Sequence, residues 1–270
     1  AGPAPRSVAV SPDERWALAG PFPAGDRVFR LCRVDLAGGR AEPFCEQEDM
    51  FNPHLQFEPG AGRLCAVQVN RGYRRRPETG ALALSGPLGA ALGVVEVASG
   101  AFRLLPAGRP HTPGISGHEC WAGGSGVLLF TAGQYQVSAS AHVTLRDPPE
   151  AERRWPRAAI YAVAPGDAAP RVVAEGLLFN HLAASDDGRF FIADDHATGR
   201  IHVGSVATGR CRPLCDARVR QGSSQHSHVH AYLTPDNRHV VFTSTVTGIA
   251  QVYAAVVPEG FLDAIDRTGA

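Results

Sequence analysis

The stretch AYLTPDNRHVVFTST at residues 231–245 decides the fold. A short apolar run enters a Pro-Asp-Asn turn and leaves it as a strongly apolar run. Asp and Asn suit such a turn because they tolerate positive φ and bond their own backbone. The pattern reads as a β-hairpin. Working outward, the same unit recurs as VAVSPDERWALAG at 8–20, LQFEPGAGRLCAVQV at 55–69, ECWAGGSGVLLFTAG at 119–133 and LAASDDGRFFIADD at 182–195. A further apolar strand follows each unit and closes on its own turn: VFRLCRVDLAGG, LGVVEVASG, AIYAVAPGD, IHVGSVATG and QVYAAVVPEG. Two hairpins per unit make a four-stranded antiparallel blade. The expected fold is therefore all-β, a β-propeller of four-stranded antiparallel blades with five readable units, the alternative being an open β-sandwich.

The unit anchors Ser11, Phe57, Trp121, Ser185 and Thr234 are separated by 46, 64, 64 and 49 residues. Blades usually repeat every 40–50 residues or so, so the two long intervals predict insertions, near 70–90 and 134–156. Only the tail GFLDAIDRTG reads as a short helix. The expected organisation is a single propeller domain over 1–270, either a small ring or most of a larger one that lacks N-terminal blade residues. The 26 basic residues, all Arg, balance 26 acidic ones, which argues against a nucleic-acid partner bound by bulk charge. No run approaches the roughly 20 apolar residues of a membrane helix, and the first residues show no signal-peptide pattern. Cys32, Cys45, Cys65, Cys120, Cys211 and Cys215 read as packed thiols and not as a zinc knuckle, which favours a reducing, cytoplasmic setting.

Of the 11 histidines, the sharpest group is Gln225-His226-Ser227-His228-Val229-His230. In an extended strand residues i and i+2 share a face, so His228 and His230 are expected to project together. Imidazole suits Mn, Fe, Co, Ni and Zn, and a Gln carbonyl adds a harder oxygen. His181, His118 and His54 stand in the same place ahead of their own blade strands. In a propeller such positions converge on one end of the central channel, which points to a metal or catalytic site. His111, His142, His196, His202 and His239 lack this placement and read as surface or loop residues. Asp194-Asp195-His196 is set aside because it falls at the far end of its strand. Arg74, Arg75 and Arg76 read as a solvated insertion loop.

The stretch from Gln225 to Pro258 resembles the oligogalacturonate lyase family. The likeness lies in Gln225, His228, His230, Tyr232, Thr234-Pro235-Asp236, Val240 to Thr245, Gly248, Val252-Tyr253 and Pro258. GHECWAGGSGVLLFT at 117–131 and NHLAASDDGRFFIADD at 180–195 extend it, so that it covers roughly 50–260. The resemblance implies a seven-bladed propeller and a divalent ion, Mn²⁺ or in its place Ni, Fe or Zn, held by His181, Gln225, His228 and His230. It implies β-elimination on uronic-acid oligosaccharides, as in pectin degradation, with His118 as the general base. Leu92 stands where the family carries an Arg, and Val69 where it carries a His. Arg71 is the expected source of the missing positive charge, and His54 a second base or a substrate contact. The competing readings are a non-catalytic propeller that binds a partner and another metal-dependent enzyme of sugar acids.

Overall fold

A computed structural model describes residues 5, 7–75, 82–84, 87–133, 135–137, 143–145, 147, 150–219 and 227–267. They fall into two compact units: Ala1–Ile115 with Ala164–Ala169, and Ser116–Val163 with Pro170–Ala270.

The first unit holds two four-stranded antiparallel sheets. One runs β1 (Ser7–Val10), β2 (Trp16–Pro23), β3 (Val28–Asp35) and β4 (Ala41–Glu48) in sequence order. The other is built from β5 (Gln56–Phe57), β6 (Leu64–Asn70), β9 (Ala90–Glu96) and β10 (Phe102–Leu104), with the hairpin β7 (Tyr73–Arg75) and β8 (Leu82–Leu84) inserted between β6 and β9. Leu18, Phe29, Leu31 and Cys45 of the first sheet pack on Phe57, Cys65, Val67 and Val95 of the second.

The second unit repeats the plan. Its first sheet is β11 (Ile115–Trp121), β12 (Leu128–Gly133), β15 (Ala158–Val163) and β16 (Arg171–Glu175), with the hairpin β13 (Tyr135–Val137) and β14 (Val143–Leu145) inserted. Next comes β17 (Ala183–Ala184), β18 (Phe190–Asp194), β19 (Arg200–Ser205) and β20 (Cys211–Asp216). A three-stranded sheet follows, of β21 (Tyr232–Leu233), β22 (His239–Ser244) and β23 (Gln251–Val256), and then the helix α1 (Phe261–Asp266). Leu129, Ile160, Phe191 and Ala193 form one core, and Ile192, Ile201, Val203, Val240, Phe242 and Ile265 another. Burying each of the Val, Leu, Ile and Phe side chains among these contributes about 1.5–3 kcal/mol.

These sheets are the propeller blades expected from the repeats, and both predicted insertions are hairpins. Arg74 and Arg75 are accordingly strand residues of β7, and not loop residues. They pair with Ala83 and Leu82, because the two runs flanking the turn are long enough to form a ladder of their own. Arg76 lies outside the described residues.

The recurring turn has a local cause. Ser11, Ser185 and Thr234 each donate a hydroxyl hydrogen bond to Asp13, Asp187 and Asp236, all at 2.6 Å. Each hydroxyl also accepts the amide of the residue that opens the next strand: Trp16 at 2.9 Å, Phe190 at 3.0 Å and His239 at 3.1 Å. The turn residues Glu14, Gly188 and Asn237 take φ of 56°, 71° and 56°. The side-chain bonds therefore satisfy backbone groups that the tight turn leaves unpaired.

The third strand of a blade needs a glycine where an aromatic ring crosses it. A Cβ on Gly204 would lie 2.2 Å from the Phe191 ring and 2.7 Å from Cys211, and one on Gly93 2.4 Å from Phe102. Gly204→Ala is expected to destabilise the chain by about 1–3 kcal/mol, the usual penalty of overpacking a filled core. Denaturant unfolding measures it; an unchanged midpoint would show that the ring moves aside freely.

Candidate metal centre

Three described histidines of the second unit come together. His181, His228 and His230 each offer a ring nitrogen, and these atoms lie within 4.8 Å of one another. His181 Nε2 and His228 Nδ1 are 3.2 Å apart. Two nitrogens sharing one ion at 2.0–2.1 Å stand about 2.9–3.4 Å apart, for octahedral through tetrahedral angles, so this spacing fits a common ion. The donor set also suits a borderline divalent metal.

Each ring is placed differently. His181 is buried just ahead of β17, and its Nδ1 is 2.9 Å from Asp194 Oδ1. His228 and His230 flank Val229, which is 1% exposed, and Ala231 beyond is equally buried. The buried pair anchors the segment and leaves both imidazoles on the other side. The geometry is not the extended strand expected for this stretch. β21 starts only at Tyr232, and His230 has φ of 40°. The rings nonetheless stack, with centroids 6.0 Å apart and planes at 19°. Desolvation pushes the His230 imidazolium down from its ordinary value, and the nearby His181 and His228 add to this against Asp194. The ring is therefore held neutral, the form a metal requires.

His118 joins the group from the next blade. Its ring centroid lies 4.6 Å from that of His181 and 6.1 Å from that of His230. It sits inside β11, and not ahead of its strand, because the strand begins at Ile115. Gly117 and His118 interrupt the extended backbone with φ of 94° and 58°. A left-handed conformation is uncommon for a residue with a Cβ and tends to mark functional positions.

The other expected site residues are placed as follows. Gln225, with His226, lies outside the described residues, as does His142. His54 and Arg71 belong to the first unit. His54 shares the left-handed backbone, with φ of 47°, and its Nε2 pairs with Asn52 Nδ2 at 2.9 Å. Arg71 is turned onto the backbone: Nε donates to the carbonyl of Gly89 at 3.0 Å, Nη1 to Arg109 at 2.7 Å, and Nη2 to Leu88 and Ala90 at 3.0 and 3.1 Å. Its guanidinium thus ties β6 to the segment leading into β9. Leu92 is fully buried in β9, paired with Gln68.

Four of the set-aside residues are placed differently from the sequence expectation. Asp194 is one: the far end of β18 lies beside the start of its antiparallel partner, so it reaches His181. His196 also belongs to this neighbourhood, its Nδ1 2.9 Å from Asn180 Nδ2. His202 is a buried strand residue of β19, 8% exposed, and its Nδ1 has no hydrogen-bond partner among the described residues. His239 likewise lies in a strand, β22.

Burial pushes the His202 imidazolium down, against the attraction of Asp195. The unfolded chain takes up this proton near pH 6.5, the folded chain only at lower pH. Stability is therefore complete above the unfolded value and is lost as pH falls below it. The thermal midpoint is expected to drop from pH 7 to pH 5 by less in His202→Phe than in the unaltered chain; equal drops would contradict this assignment.

All six cysteines are free, and burial pushes the Cys65 thiol up to about 12, which fits packed, unreactive thiols. No helix among the described residues is long and apolar enough to cross a membrane.

No family model matches the chain. Over 78 residues it is 33% identical to the oligogalacturonate lyase of Dickeya dadantii and 35% identical to the oligogalacturonide lyase of Pectobacterium atrosepticum. Each match spans 27% of this chain and 19% of the relative, so the likeness reaches about a fifth of the length of these curated proteins. Among solved structures, an oligogalacturonate lyase in complex with manganese matches 97% of this chain and 79% of its own, with a TM-score of 0.60 and 17% identity. TolB from Acinetobacter baumannii matches 93% of this chain and 51% of its own, with a TM-score of 0.58 and 12% identity. The chain is thus a β-propeller in fold, and part of its sequence is similar to that of oligogalacturonate lyases.

Proposed function

We propose that this chain is a metal-dependent lyase that cleaves uronic-acid oligosaccharides, oligogalacturonides in the first instance, by β-elimination. The observation that carries the reading is the convergence of His118 on the His181, His228 and His230 group, from a different blade. The partial sequence likeness to oligogalacturonate lyases supplies the substrate class.

His181, His228 and His230, with Gln225, would hold the ion. When bound, a divalent ion supplies Lewis acidity that neutralises a uronate carboxylate and stabilises the charge developing beside it. Mn²⁺ is the ion we assign, by similarity to the manganese-bound lyase.

The proton at C5 of the uronate is alpha to that carboxylate. A neutral ring nitrogen of His118 accepts it. The C5–H pair becomes the C4=C5 double bond, the C4–O4 bond breaks, and the leaving oxygen departs with a proton from solvent. General-base catalysis of this kind needs the imidazole in its neutral form.

A second reading, an enzyme that keeps the ion but acts on another sugar acid, is favoured by the first unit. There Leu92 is a core residue and Arg71 is committed to backbone carbonyls, so neither supplies a free guanidinium. Incubating the metal-loaded chain with oligogalacturonides and following the ultraviolet absorbance of the unsaturated product separates the two. Product formation supports the lyase; bound metal without product favours the second reading.

A further inference from the structure

The buried carboxylate of Asp194 needs an explanation. Its side chain is 5% exposed, and its one ion-pair partner among the described residues is His181, whose side chain is equally buried. A buried carboxylate with no cation beside it is costly, and such groups are normally paired or serve a metal. The register explains how it arrives there. Ala183 pairs with Ile192 across β17 and β18, and carrying that antiparallel register two residues back sets His181 opposite Asp194. The Asn180 amide donates to the Asp194 carbonyl at 2.9 Å and holds the two chains together at this point.

We propose that Asp194 is the positioning residue of the metal centre, fixing the tautomer and ring direction of His181. Its Oδ1 lies 2.9 Å from His181 Nδ1 and accepts the proton there. The lone pair is then on Nε2, the nitrogen that stands 3.2 Å from His228 Nδ1. The opposite tautomer would place a proton between the two donor nitrogens and block the shared position. An ion bound to Nε2 in turn supplies, through the ring, the positive charge that the buried carboxylate lacks. Carboxylate–histidine–metal arrangements of this kind commonly change metal affinity by about 10–100-fold. Asn180 Nδ2 stands 2.9 Å from His196 Nδ1 and 3.1 Å from His181 Nδ1; at His181 Nδ1 the Asp194 carboxylate, at 2.9 Å, is both the shorter contact and the one that can accept a proton. This inference rests on the metal reading above and adds the residue that orients its most buried ligand.

The test is calorimetric titration of Mn²⁺ into the full chain, unaltered, as Asp194→Asn and as Asp194→Glu. Long-range ¹H–¹⁵N spectra of the unaltered metal-free chain are recorded in parallel. The expected result is an Mn²⁺ affinity about 10–100-fold weaker in Asp194→Asn, partly restored in Asp194→Glu. The spectra are expected to show the His181 proton on Nδ1. That signature needs no variant, so it stands even if Asp194→Asn folds poorly. Undiminished binding in Asp194→Asn, or a His181 proton on Nε2, overturns the role of Asp194 while leaving the metal site intact. Absence of Mn²⁺ binding by the unaltered chain overturns the metal reading itself and this inference with it.

Discussion

His228→Ala is expected to weaken binding of a divalent ion by more than about a hundredfold, the upper end of what losing a merely supporting residue costs. The variant removes one of the three converging imidazoles that form the centre of the site. The fold should survive the change. His228 is half-buried, whereas the flanking Val229 and Ala231, which anchor the segment, are untouched. Calorimetric titration gives the affinity, and the thermal midpoint of the metal-free variant confirms folding. Unchanged affinity would remove His228 from the site.

His118→Ala is expected to lower kcat/KM for elimination by about 10²–10⁴-fold, the usual contribution of a positioned general base, with the ion retained. The two effects are separable because the His118 ring lies beside the His181, His228 and His230 set and is not one of its three donors. Loss of the ion in His118→Ala would instead make His118 a fourth ligand. Retained activity would transfer the base to another residue.

Most of the fold was legible because the blade repeat is a local signal. Ser11, Ser185 and Thr234 sit at the same point of the same turn, and each bonds an Asp two residues on. The apolar runs flanking them then have one hairpin available. The insertions were visible as excess spacing, but their pairing was not, since RGYRRRPETG lacks the apolar alternation that marks β7 as a strand. Among the candidate site residues, His181, His228 and His230 stand ahead of their strands and His118 lies inside β11, and the structure brings these four rings together.

His228 and His230 come together without the extended strand expected of them: a left-handed His230 and a buried Val229 produce the shared face. Asp194 was missed because a linear reading takes the end of one strand to be remote from the start of its neighbour, and antiparallel pairing reverses that. The register Ala183↔Ile192 was the signal that could have found it. For Arg71 no linear reading shows where the donors go: the carbonyls of Leu88, Gly89, Ala90 and Arg109 surround its guanidinium.

The most direct test of the account is the stoichiometry of Mn²⁺ on the unaltered chain, followed by the loss of the free-ion electron paramagnetic resonance signal during titration. One ion per chain is expected, released when His181, His228 or His230 is replaced by alanine. A free-ion signal that rises in full from the first addition, together with no heat of binding on titration of Zn²⁺ or Ni²⁺, would contradict a metal centre at these three histidines.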